Sequence, residues 1–98
     1  MGTVLEQQSV VAVVGELDLA TVARTREQLH AALAGGPERL VVDLSACTFV
    51  DASALSMLVD VHRRAYRAGG VLTLRGCSPR VLRLLSLTGL RRVFDVAG

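Results

Sequence analysis

The stretch Val42-Asp43-Leu44-Ser45-Ala46-Cys47-Thr48-Phe49-Val50-Asp51-Ala52-Ser53-Ala54-Leu55 decides how this chain folds. It opens inside a short apolar run, residues 40–44, broken only by Asp43. Such a run fits a strand buried on both faces, as in a sheet covered by helices. Residues 48–51 then lead into a helical segment that starts at Ser53 and runs to about residue 68, where Gly69-Gly70 ends it. A buried strand therefore feeds a helix N-terminus that carries an acid and a hydroxyl. Free N–H groups and the helix dipole make that end electropositive, so a phosphate placed there is stabilised. Ser53 can be a phosphorylation switch on this reading. It can equally be, with Asp51, an ordinary cap, since Asp and Ser are favoured N-cap residues.

The flanking sequence keeps the same alternation. Residues 3–7 and 10–14 are β-branched-rich runs separated by Gln8-Ser9, and they read as a hairpin. Gly15-Glu16-Leu17-Asp18 breaks that pattern. Residues 21–33 read as a helix with Val22, Leu29 and Leu33 on one stripe, capped by Asp18 or Thr21 and ended by Ala34-Gly35-Gly36-Pro37. Residues 71–74 form another strand. Ser78-Pro79 opens a third helix, with Ser as cap and Pro at its first position, and Gly89 closes it. Residues 93–96 give a last short strand. The order β-β-α-β-α-β-α-β implies parallel pairing through helical crossovers plus an antiparallel hairpin edge. The expected fold is one α/β domain over residues 1–98. It has a small mixed sheet and three flanking helices.

Composition narrows the function classes. The chain has 98 residues, 51% hydrophobic and 20% charged, which supports one modest core and excludes a disordered chain. No apolar run reaches the roughly 18–20 residues of a membrane span, and no signal-peptide pattern is present, so a cytoplasmic protein is expected. Cys47 and Cys77 read as reduced thiols, because two cysteines are too few for a disulfide scaffold. All eleven cations are Arg, and they are unevenly placed: residues 1–60 hold three Arg against eight acids, residues 61–98 eight Arg against one acid. The basic half invites a nucleic-acid reading. However, Arg63, Arg64, Arg67, Arg80 and Arg83 fall on solvent faces of helices, and two Phe and one Tyr are too few to stack bases. No nucleic-acid partner is expected. The two His, His30 and His62, lie far in sequence from Asp51 and Ser53, and no phosphate loop or metal-ligand spacing appears. We therefore expect neither catalysis, nor a metal, nor a cofactor.

The helix after Ser53 offers two arcs at 100° per residue. Leu55, Leu58, Val59 and His62 form one, with Tyr66 behind, and this arc is expected to face the sheet. Ala54, Met57 and Val61 form the other. With Ser53 they are expected to make a partner patch, Met being adaptable at binding surfaces. Packing against a neighbouring helix is the competing reading.

Four motifs in register carry a resemblance. Gly15-Glu16-Leu17-Asp18, Val42-Asp43-Leu44-Ser45, Phe49-Val50-Asp51-Ala52-Ser53-Ala54-Leu55 and Leu87-Thr88-Gly89-Leu90 resemble the STAS domains of bacterial anti-sigma factor antagonists. The resemblance spans nearly the whole chain and implies a mixed sheet of four to five strands flanked by helices. It implies binding to a cytosolic serine kinase that doubles as an anti-sigma factor. In that scheme the unphosphorylated antagonist captures the kinase and frees a sigma factor, and phosphorylation releases it. It also places Glu16 and Asp18 beside Asp51 and Ser53 in the partner-contact region. The usual phosphoacceptor follows the aspartate directly, and here that position is Ala52. Ser53 keeps the next hydroxyl, while Ala54 and Ser56 stand where the family usually has Gly. The same fold also serves as a compact regulatory subunit that binds the ATPase of bacterial lipid-transport ABC systems, and that is the alternative function. Oligomeric state is left open.

Overall fold

The computed structural model describes residues 7–97. Its elements run β1 (Gln8–Ala12), β2 (Gly15–Leu17), α1 (Val22–Ala34), β3 (Arg39–Asp43), β4 (Cys47–Val50), α2 (Ala52–Arg67), β5 (Val71–Arg75), α3 (Pro79–Leu87), a 3-10 turn (Leu90–Arg92) and β6 (Asp95–Ala97). Four strands form one sheet in the order β1-β3-β5-β6, and every pairing in it is parallel. Each crossover steps the same way across the sheet. Right-handed connections therefore place the three helices on one face.

Burial follows that geometry. Leu40, Val42, Leu72 and Leu74 point to the helices and are buried, whereas Val10 and Val71 on the other face are exposed. That second face is roofed by side chains instead. Arg39 reaches across β5 to Asp95 (2.8 Å), Thr73 donates to the same carboxylate (2.6 Å), and Arg75 pairs with Asp43 (3.3 Å). The core between sheet and helices is aliphatic: Leu29 from α1, Leu58 and Val61 from α2, and Leu85 from α3 are fully buried. Local signals behave as read. Asp51 caps α2, Ser78 caps α3 by accepting from the Val81 N–H, and Pro79 occupies the first turn.

Three sequence expectations are revised. The hairpin rested on residues 3–7, of which residues 3–6 lie outside the described residues; its second strand ends at Ala12, two residues early. Beyond it, Gly15–Leu17 and Cys47–Val50 form a separate parallel pair, β2-β4, that the sequence reading treated as connections. The register shifts at Gly15, whose φ of +84° lets the chain bend away from the main sheet. Finally, Ala54, Met57 and Val61 are corrected from surface to core: their exposures are 0%, 2% and 0%. Helix α2 is wedged between β5 and α1, so its buried arc is wide and centred on these residues. The arc chosen to face the sheet forms its flank. Leu55 and Leu58 are buried, Val59 and His62 only half-buried, and Tyr66 is 72% exposed.

Candidate partner-binding site

The β2-β4 pair sets the site. Leu17 lies opposite Val50, so the residues that follow each strand leave the sheet side by side. One is the turn at Asp18 before α1, and the other is Asp51 before α2. The Asp51 N–H donates to the Leu17 carbonyl (3.3 Å), which continues the ladder by one bond.

The Asp51 carboxylate then ties the two segments together. Its Oδ1 accepts from the Ala54 N–H (2.9 Å) and from the Ser53 hydroxyl (2.6 Å). Its Oδ2 accepts from the Leu19 N–H (3.1 Å), 32 residues away in sequence. The Ser53 hydroxyl and these backbone N–H groups hold the Asp51 carboxyl below its ordinary pKa, because each favours the charged form.

The facing turn is organised by Asp18 and Thr21. The Asp18 Oδ1 accepts from the N–H groups of Ala20 (3.0 Å) and Thr21 (3.2 Å). The Thr21 hydroxyl donates to the Glu16 carbonyl (3.0 Å) and accepts from the Asp18 N–H (3.0 Å). Thr21 stands at the N-cap position of α1 but makes no side-chain cap bond; the Asp18 carbonyl takes the Val22 N–H instead (2.8 Å). The turn is thereby fixed while its tip, Leu19, is 76% exposed.

Of the residues expected at the site, Asp18, Asp51 and Ser53 meet around the Leu19 turn, Glu16 is tied to that turn only through its carbonyl, and Ala54, Met57 and Val61 do not reach the surface. Glu16 is exposed. Ala52 opens α2, exposed and without a hydroxyl, and Ser53 is half-buried with its hydroxyl committed to Asp51. Sequence reasoning missed Leu19 and had Thr21 only as a helix cap. Leu19 carries the one available clue, an apolar residue stranded between the polar groups of a turn. His62 packs edge-on against Phe94 (5.7 Å between ring centres), and neither the His62 Nδ1 nor the His30 Nε2 has a hydrogen-bond partner among the described residues. Thus the Ser53 hydroxyl is held by a carboxylate with no imidazole in a relay. Among the described residues no cluster of His, Cys, Asp or Glu could hold a metal ion, and no helix is long and apolar enough to cross a membrane. Both cysteines are free thiols, and burial pushes the Cys77 thiol up.

A family model described as "Mlab, STAS domain" matches residues 3–95. A STAS-domain containing protein of Pseudomonas aeruginosa is 34% identical over 62% of this chain and 60% of its own length. The anti-sigma-B factor antagonist of Bacillus subtilis is 28% identical over 87% of this chain and 77% of that protein. The crystal structure of an anti-sigma factor antagonist from Mycobacterium paratuberculosis superposes with a TM-score of 0.83 at 30% identity, covering 96% of this chain and 80% of that one.

Proposed function

This chain belongs to the STAS-domain family, and on that premise we propose that it is an anti-sigma factor antagonist that works by partner switching. Its partner is a cytoplasmic serine-kinase anti-sigma factor, and its binding frees a sigma factor. The observation that carries the reading is the Asp51 carboxylate, which locks the Leu19 turn to the start of α2 through bonds of 3.1, 2.9 and 2.6 Å. Two loops so joined make one rigid recognition surface, with exposed Leu19 and Ala52 as its apolar points and Glu16, Asp18 and Asp51 as its acids. Preorganisation of this kind favours binding because little ordering remains to be done.

The regulated hydroxyl in this reading is Ser53. Its phosphorylation replaces a donor to Asp51 with a group carrying about −1.5 to −2 charges. The Ser53–Asp51 bond is then lost, and like charge repels across it. The dipole of α2 offsets part of that repulsion. The result is a surface that no longer fits a partner shaped to the locked loops.

The test is incubation with the captured kinase and ATP, followed by mass spectrometry of the peptide containing Ser53. A phosphate on Ser53, together with loss of kinase binding by Ser53→Asp, is the expected outcome. No modification of Ser53, or unchanged affinity of Ser53→Asp, removes phosphorylation from the account. Capture of an ABC-transporter ATPase in place of a kinase replaces the whole reading with the alternative function.

A further inference from the structure

We propose that the groove between β4 and α3 binds an extended acidic peptide, which adds as a strand to the free edge of β4. This surface adjoins the Asp51 site at Val50, but its occupancy does not depend on the function proposed above.

Three observations converge on it. First, β4 pairs with β2 alone, so its other edge carries no strand among the described residues. A free strand edge presents backbone N–H and C=O groups ready to pair with another extended chain. Secondly, a cavity of about 260 Å³ lies along this side, lined by Thr48, Phe49 and Val50 of β4 and by Ser78, Arg80, Val81 and Leu84 of the α3 segment. Its lining is apolar where Phe49, Val81 and Leu84 meet. Phe49 is 40% exposed, and Leu87, one turn past Leu84, is 75% exposed. Large apolar side chains gathered in this way mark interaction surfaces more often than singly scattered ones do.

Thirdly, charge selects the occupant. Arg80, Arg83, Leu84 and Leu87 stand at i, i+3, i+4 and i+7, so they share one face of α3. Arg80 and Arg83 are exposed, and neither has an ion-pair partner among the described residues. Among the described residues no acid lines the groove. An occupying strand with alternating side chains meets the apolar floor with one set and the guanidinium groups with the other. Carboxylates are the side chains that satisfy the second set. An RNA strand would also meet the arginines, but among the described residues Phe49 is the only aromatic side chain lining the groove, and base stacking needs such platforms.

The experiment uses the full chain, isotopically labelled for amide NMR. The probe is an eight-residue capped peptide alternating Glu with Val, and the control is the same peptide with Lys in place of Glu. Binding is expected to shift the amides of Phe49, Val50 and Val81 with the Glu peptide and to leave them unmoved with the Lys peptide. Arg80→Glu, an exposed change that leaves the spectrum of the free protein folded, is expected to weaken binding about fivefold or more, with the loss reduced at high salt. No shifts at millimolar peptide, shifts confined to other surfaces, equal binding of the Lys peptide, or full affinity in Arg80→Glu would each overturn the proposal. An oligoribonucleotide that shifts the same amides more strongly than the Glu peptide would also overturn it.

Discussion

Replacing Met57 by Ala separates packing from recognition more sharply than any other single change. Met57 is 2% exposed and sits among Leu58, Val61 and Ala54 in the core. The change removes three heavy atoms beyond the β-carbon. At about 0.8 kcal/mol for each methylene-sized group, the transfer loss is roughly 2.4 kcal/mol. Incomplete collapse around the vacated space raises the cost to about 3 kcal/mol, inside the range of about 2–5 kcal/mol found for such truncations. A domain of this size has a total stability of roughly 5–15 kcal/mol, so the loss is a large share. It corresponds to a fall in Tm of about 12–24 °C. The matching change on the surface is Leu19→Ala, at a side chain 76% exposed. It is expected to move stability by less than about 0.5 kcal/mol and yet weaken the partner complex. Thermal denaturation by circular dichroism, run beside calorimetric titration of the partner, reads both quantities. A Met57→Ala protein with an unchanged Tm and a weakened complex would restore Met57 to the surface and refute the packing argument.

Other outcomes follow from the same geometry. Asp51, Asp43 and Asp95 all have lowered carboxyl pKa values, from Ser53, Ser45 and Thr73 hydroxyl bonds respectively with further donors behind them. A carboxyl lowered in the folded state contributes stability above its unfolded value of about 3.9, and that contribution is lost as pH falls through the folded value. Tm is therefore expected to drop on acidification below about pH 5, and Asp51→Asn to flatten part of that limb in a pH series. Ser78→Ala removes the acceptor for the Val81 N–H (3.2 Å) and should cost about 1 kcal/mol, seen as a lower urea midpoint with an unchanged slope. Gly76 has a φ of +72°, and an added β-carbon would lie 2.8 Å from that of Ser45. Gly76→Ala should destabilise by about 1–3 kcal/mol, and a chemical denaturation curve matching the parent's would contradict the fold around it.

What could be read from the sequence was what depends on near neighbours. Ser78-Pro79 announces a helix start because the cap, the fixed proline φ and the first free N–H groups all lie within four residues. The strand at Arg39–Asp43 was readable because burial on both faces leaves an apolar run. By contrast, β2 and β4 have three and four residues each, and nothing within them distinguishes a strand from a connection. Their identity comes from pairing with each other across some 30 residues. The face of α2 failed for a related reason. Its apolar positions populate two overlapping arcs, and the choice between them is made by α1 and β5 packing on it, not by α2 itself. At the site, Asp51 and Ser53 were visible as a pair, since capping is local. The Asp51–Leu19 bond was not, because it exists only once β2 and β4 lie side by side.

Affinity capture from the native cell extract, with the full chain and its Leu19→Asp variant as parallel baits, tests the central claim most directly. The account predicts that the chain retains a serine-kinase anti-sigma factor, that the variant loses it while keeping the parent Tm, and that ATP releases the kinase from the unmodified chain but not from Ser53→Ala. Retention of the same kinase by Leu19→Asp, or capture of a transporter ATPase with no kinase, would contradict it.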